Sequence, residues 1–85
     1  MKSLLYFKIL TCPYCKAADG WLEELYQENP AYRDIPIRVV DEKAEAAFAE
    51  TYDYYYVPCF FEGKNKLHEG AADKEKIRAV LNACL

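Results

Sequence analysis

The sequence predicts an α/β fold in the element order β-α-β-α-β-β-α, a four-stranded mixed sheet flanked by three helices. Three observations predict it. Apolar runs of strand length alternate with stretches of helical periodicity through the first half of the chain. In the second half, a Gly63-Lys64-Asn65 turn separates two short strand-like segments. A βαβ unit makes its strands parallel and a hairpin makes its strands antiparallel, so a sheet built from both is mixed.

The elements follow in order. Ser3–Leu10 carries Leu4, Leu5, Tyr6, Phe7 and Ile9, a short apolar run of the kind buried strands show. From Pro13 to about Glu28 the pattern turns helical, with Ala18, Trp21, Leu22 and Leu25 on one face. Pro13 suits the helix start, where its missing N–H would have no partner. Gly20 weakens the helix by up to ~1 kcal/mol, and close packing around it is one reason for a glycine there. Asn29-Pro30 ends the helix, and Ile35–Val40 reads as the second strand, with Pro36 tolerable at its start or at an edge. Asp41 to about Asp53 reads as a second helix, capped by Asp41 and facing inward through Ala44, Ala47, Phe48 and Tyr52. Cys59, Phe60 and Phe61 form the third strand and Lys66–Glu69 the fourth. Gly70-Ala71-Ala72-Asp73 leads into a last helix whose stripe is Ile77, Val80, Leu81 and Cys84.

Composition narrows the function classes. A chain of 85 residues is expected to form one domain, residues 1–85, and its 53% apolar content supplies a core rather than disorder. A net charge of −3 gives no electrostatic reason for binding nucleic acid or an anionic membrane. No segment approaches the ~20 apolar residues of a membrane span. The run Leu4-Leu5-Tyr6-Phe7 is broken by Lys8 and lacks a following cleavage site, so it is not read as a signal peptide. The expectation is a cytoplasmic monomer whose thiols are reduced at rest.

There are four cysteines, at 12, 15, 59 and 84. Cys12-Pro13-Tyr14-Cys15 lies where a strand gives way to a helix, and cysteines at this spacing can close a disulfide. Unpaired N–H groups and the positive end of the helix dipole meet at the first of them. Such a position lowers a thiol pKa below ~8.5. Cys12 is therefore expected to be the exposed nucleophile, and Cys15, one turn in, the more buried resolving thiol. Zinc sites use the same spacing, but two more ligands would have to come from Cys59, His68 or Cys84, which form no second close pair. No metal is expected, and the βαβ setting favours redox chemistry.

The remaining candidates read more blandly. Cys59 is expected to be a packed strand thiol rather than a third redox group, Cys84 part of the helix core, and His68 a solvated surface residue. Lys16 either supports the Cys12 thiolate or is simply solvated. Tyrosines 52, 54 and 55 divide between core and surface, whereas Tyr14 and Tyr56 are expected to touch substrate. Pro58 has no N–H to commit to its own sheet, so Val57 can offer its N–H and C=O to an extended substrate.

Cys12-Pro13-Tyr14-Cys15 resembles the dithiol of the glutaredoxin family, and Val57-Pro58 is similar to the family's Val-Pro ahead of the third strand. The resemblance extends over essentially the whole chain. It implies a thioredoxin-like fold and a thiol–disulfide oxidoreductase that contributes to cell redox homeostasis. It also implies a redox-active pair at Cys12 and Cys15, with a cis Val57-Pro58 bond beside it. Substrate would meet Tyr14, Tyr56, Val57, Pro58 and Gly70. No resident cofactor is implied, and glutathione would serve as co-substrate for disulfide-containing protein partners. The chain departs from the family pattern at three places. Tyr56 stands where threonine is usual, Glu69-Gly70-Ala71-Ala72-Asp73 replaces a Gly-Gly pair, and Ile9 occupies a position that is often basic. Glutathione is therefore expected to be a poor reductant, which leaves a thioredoxin-reductase-type enzyme as the alternative donor. A rival of another class is a non-enzymatic module holding a metal or an iron–sulfur cluster on Cys12. Pro13 speaks against it by the same resemblance, because cluster-binding members more often carry glycine there.

Overall fold

β1 (Leu4–Lys8) is an inner strand of the four-stranded sheet, whose order is β2-β1-β3-β4, in a computed structural model that describes residues 1–85. β2 (Ile37–Asp41) runs parallel to β1, with Leu4 beside Ile37 and Lys8 beside Asp41. β3 (Cys59–Glu62) runs antiparallel to β1, with Phe7 opposite Cys59 and Leu5 opposite Phe61. β4 (Asn65–Glu69) returns along β3 through a turn at Gly63, whose φ of +59° falls in the left-handed region that favours glycine. The sheet is mixed, as the sequence predicts.

Side chains alternate across the sheet and divide the core in two. Leu4, Tyr6 and Phe60 face α1 (Pro13–Glu28) and α3 (Lys74–Cys84), where they join Ala18, Leu22, Leu25, Ile77, Val80, Leu81 and Cys84 in a cluster of 12 buried residues. Phe7, Cys59 and Phe61 face the other way, onto Val40 and onto Ala49 of α2 (Ala46–Ala49). Polar contacts tie α1 and its following turn to α3. The Tyr32 hydroxyl donates to Asn82 Oδ1 at 2.7 Å, and Lys74 pairs with Glu24 at 3.1 Å. α3 begins at Asp73, whose carboxylate accepts the Lys76 N–H at 2.8 Å.

Three details depart from the sequence reading. A 3-10 turn over Pro30–Asp34, capped by the Asn29 side chain, occupies the approach to β2. Ile35 is buried at its end, so β2 starts two residues late. The second helix is one turn rather than a dozen residues. Asp41 stays in β2, and its carboxylate accepts the N–H groups of Lys43 at 3.0 Å and Ala44 at 3.4 Å. That local bonding makes a turn of the segment predicted as the first helical turn. Ala44 and Ala47 are consequently exposed, while Phe48, Ala49 and Tyr52 face the core. Gly20 has no close neighbour, since an added Cβ would meet nothing within 4 Å. Close packing does not account for it.

Candidate functional site

After β1 the chain turns sharply into α1. Cys12 donates its N–H to Ile9 O at 3.0 Å, and its own carbonyl accepts from Cys15 N at 3.1 Å and Lys16 N at 3.0 Å. Cys12 is the helix N-cap, with extended backbone (φ −75°, ψ 123°) and no side-chain oxygen in the cap position. The Cys15 N–H first of all, then the Tyr14 N–H and the Cys15 thiol, hold the Cys12 pKa below its ordinary value, against an opposing effect of burial second only to that of the Cys15 N–H. Cys15 is buried, and burial first of all pushes its pKa up to about 11. The negative charges of Cys12 and Asp19 push the same way, and a backbone hydrogen bond from Ile9 opposes them.

Beneath Cys15 lies a polar trio that the sequence reading missed. Asp19 Oδ1 accepts from the Tyr6 hydroxyl at 2.7 Å, and Asp19 Oδ2 pairs with Lys8 Nζ at 2.7 Å. The Tyr6 hydroxyl also lies 3.2 Å from Cys15 O. A signal was available in the spacing. Asp19 follows Cys15 by four residues on one helix, and Tyr6 and Lys8 are two apart on one strand, so each pair shares a face.

The Val57-Pro58 bond is cis. Pro58 is buried and its carbonyl accepts the Gly70 N–H at 2.9 Å. Because Cys59 pairs with Phe7 in antiparallel register, the prolyl turn enters the sheet at the end of the inner strands where the dithiol loop leaves it. The Val57 N–H and C=O make no hydrogen bond within the chain. Four large apolar side chains stand exposed on these two loops and the first turn of α1, namely Leu10 at 59%, Tyr14 at 60%, Tyr55 at 84% and Tyr56 at 70%. Gly70 adopts φ +90°, and a Cβ there would come 3.6 Å from Tyr56 Cβ. Gly70 is thus a contact of Tyr56 and of the prolyl turn.

Glu69 also belongs to this turn, in a role the sequence did not suggest. Its carboxylate accepts the backbone N–H groups of Tyr55 and Tyr56, the latter at 2.9 Å, and pairs with Lys66 Nζ at 2.8 Å. Lys66 first, then the two N–H groups, hold the Glu69 pKa down to about 2.

The other candidates fall outside this arrangement. Cys59 is buried, and its thiol is pushed up to about 12 by burial and by Glu69. Cys84 is buried in the larger cluster, and burial raises its pKa too. His68 is half-buried with Nε2 2.8 Å from Gly70 O, where the sequence suggested a solvated residue. Lys16 is exposed and makes no ion pair, which matches the solvated reading. No group of three or more His, Cys, Asp or Glu side chains converges as metal ligands would. No helix is long and apolar enough to cross a membrane.

No protein-family model matches the chain, and no curated protein matches it. Solved structures do. A malarial protein superposes over 96% of this chain and 94% of its own, with a TM-score of 0.69 and 17% identity. An uncharacterized thioredoxin-like protein from Clostridium perfringens superposes over 99% of this chain and 71% of its own, with a TM-score of 0.68 and 26% identity. The fold is thioredoxin-like, and with the cysteine pair at its strand–helix junction it is compatible with thiol redox chemistry.

Proposed function

We propose that the chain is a dithiol thiol–disulfide oxidoreductase, glutaredoxin-like in its Cys-Pro-Tyr-Cys pair, that reduces disulfides in protein substrates. The observation that carries this reading is the asymmetry of the pair, a partly exposed thiol held toward thiolate beside a buried thiol held protonated. In the first step Cys12 Sγ attacks a substrate disulfide. A Cys12–substrate bond forms, the substrate disulfide breaks, and one substrate thiolate leaves. In the second step Cys15 loses its proton and attacks Cys12 Sγ, which closes the Cys12–Cys15 disulfide and releases the second substrate thiolate. The substrate gains two electrons and the pair loses them. The order of events follows from the charges. While Cys12 is a thiolate it raises the Cys15 pKa, and forming the mixed disulfide removes that charge, so Cys15 becomes easier to ionise at the moment it is needed.

Substrate would lie along Val57, whose free N–H and C=O can pair with an extended segment, flanked by Tyr14 and Tyr56, with Pro58 and Gly70 shaping the turn. Exposed aromatic side chains around the thiol suit a protein segment better than a small anionic tripeptide. Glutathione would therefore be a weak reductant and a thioredoxin-reductase-type enzyme the main one. No resident cofactor is required. The proposed setting is the cytoplasm, where the reduced pair persists.

Single substitutions test the assignment. Cys12→Ser is expected to abolish reduction of a peptide disulfide. Cys15→Ser is expected to leave a mixed disulfide on Cys12, visible by mass spectrometry. At pH 6, iodoacetamide should label Cys12 well ahead of the other three thiols, because a lowered pKa leaves more thiolate at a given pH. Faster labelling of Cys15 than of Cys12 would reverse the roles and defeat the proposal.

A further inference from the structure

Next to Val57-Pro58 the chain assembles a set of donors suited to an anion. Two successive backbone N–H groups, of Tyr55 and Tyr56, and the Lys66 ammonium converge on one point. Consecutive N–H groups with a nearby cation are the chemistry that recognises a carboxylate. The set is already filled by the Glu69 carboxylate, which uses one oxygen for both N–H groups and the other for Lys66. Glu69 is held there by the fold, since it ends β4 in register with Cys59 and precedes Gly70, whose N–H binds Pro58 O.

We infer that Glu69 is a specificity-determining residue, an internal carboxylate that occupies an anion site beside the substrate-binding turn and so biases the protein against anionic thiols and disulfides. The inference rests on the proposed oxidoreductase reading and deepens it. A substrate carboxylate reaching Tyr55 and Tyr56 finds their N–H groups taken and Lys66 neutralised. A neutral or apolar segment loses nothing, because it pairs with Val57 instead. Glu69 therefore acts less by repelling anions at a distance than by removing the donors they would need.

The test compares Glu69→Ala and Glu69→Gln with the unaltered protein on two disulfides, glutathione disulfide, which is anionic, and bis(2-hydroxyethyl) disulfide, which is neutral, with dithiothreitol returning the Cys12–Cys15 pair to the dithiol and the rate without protein subtracted. The unaltered protein should favour the neutral one. Glu69→Ala frees both N–H groups and Lys66, so the anionic-to-neutral ratio of kcat/KM should rise roughly tenfold, the effect of regaining one charge-assisted hydrogen bond. The change should fall in KM for glutathione disulfide and leave kcat nearly unaltered. Glu69→Gln keeps an acceptor oxygen for the N–H groups but releases Lys66, and should fall between. A second readout does not depend on turnover. Adding S-methylglutathione, which cannot react, should shift the Tyr55 and Tyr56 amide resonances in Glu69→Ala and leave them unmoved in the unaltered protein. An unchanged ratio with unmoved amides, or an equal loss on both disulfides, would overturn the inference. Failure of the unaltered protein to reduce either disulfide would instead defeat the oxidoreductase reading, while the amide shifts would still judge the anion site.

Discussion

Asp19 shows how a single charge can tune the dithiol without touching substrate. Its carboxylate sits one helical turn beyond Cys15, bonded to Tyr6 and Lys8, and its negative charge raises the Cys15 pKa. Asp19→Asn keeps an acceptor for the Tyr6 hydroxyl but removes the charge and leaves Lys8 as an unpaired cation nearby. Both changes favour the Cys15 thiolate, so the Cys15 pKa should fall and resolution of the mixed disulfide at pH 8 should speed up roughly two- to fivefold. The gain should vanish at high pH, where Cys15 is ionised in either protein. Rapid-quench measurement of the second step against pH would show the profile displaced to lower pH, and a profile that stays put or moves upward would sink the idea. The identity of Cys12 and Cys15 was legible in the sequence because their spacing and position carry the chemistry. Asp19 was not, and Glu69 was legible only as a negative charge unfavourable to an anionic co-substrate, because each acts through partners that only the folded chain brings close. Asp19 needs a neighbouring strand, and Glu69 needs backbone groups thirteen and fourteen residues away.

At the scale of elements, α1 carries the site and contains an avoidable weakness. Gly20 sits in the interior of this 16-residue helix with its face open to solvent. Replacing it with alanine adds helix propensity and reduces the freedom of the unfolded chain, with no neighbour for the new methyl to strike. Gly20→Ala should stabilise the fold by about 0.4–1 kcal/mol. For a domain of this size that is a rise in Tm of up to roughly 4–8 °C, readable by circular dichroism. An unchanged or lower Tm would mean that Gly20 serves a need the folded helix does not display. The elements also mark where sequence patterns run out. α1 and α3 were legible because each buries one long periodic stripe. α2 was not, because a plausible stripe at Ala44, Ala47, Phe48 and Tyr52 competed with the Asp41 turn and with aromatic packing. Phe7 draws Tyr52 and Tyr54 to ring distances of 5.0 and 4.9 Å, and a tertiary cluster of this kind outweighs local helix propensity.

For the whole molecule, the two faces of the sheet divide the work of the site. The larger face supports the dithiol. Phe60 stacks on Tyr6 at 4.5 Å, and Tyr6 in turn reaches Asp19 and Cys15 O through its hydroxyl. The smaller face supports the approach to the prolyl turn. Phe61 packs edge-on against Tyr52 at 5.0 Å and Tyr54 at 6.3 Å, and Tyr54 leads directly into Tyr55, Tyr56 and Val57. Neighbouring residues on one strand thus feed different parts of the chemistry, and a matched pair of substitutions separates them. Phe60→Leu and Phe61→Leu each remove an aromatic ring from a buried position and should cost about 1–3 kcal/mol, leaving the chain folded if its total stability lies in the ordinary range of roughly 5–15 kcal/mol. Their kinetic signatures should differ. Phe60→Leu loosens Tyr6 and should disturb the second step, moving the pH profile of mixed-disulfide resolution while the KM for a peptide disulfide holds. Phe61→Leu loosens the loop before Val57 and should raise that KM severalfold while the resolving step keeps its pH profile. Loss of stability alone would slow both variants alike, so the crossed pattern distinguishes a divided sheet from a merely weakened one. If both variants changed the same kinetic constant, the division between the two faces would fail.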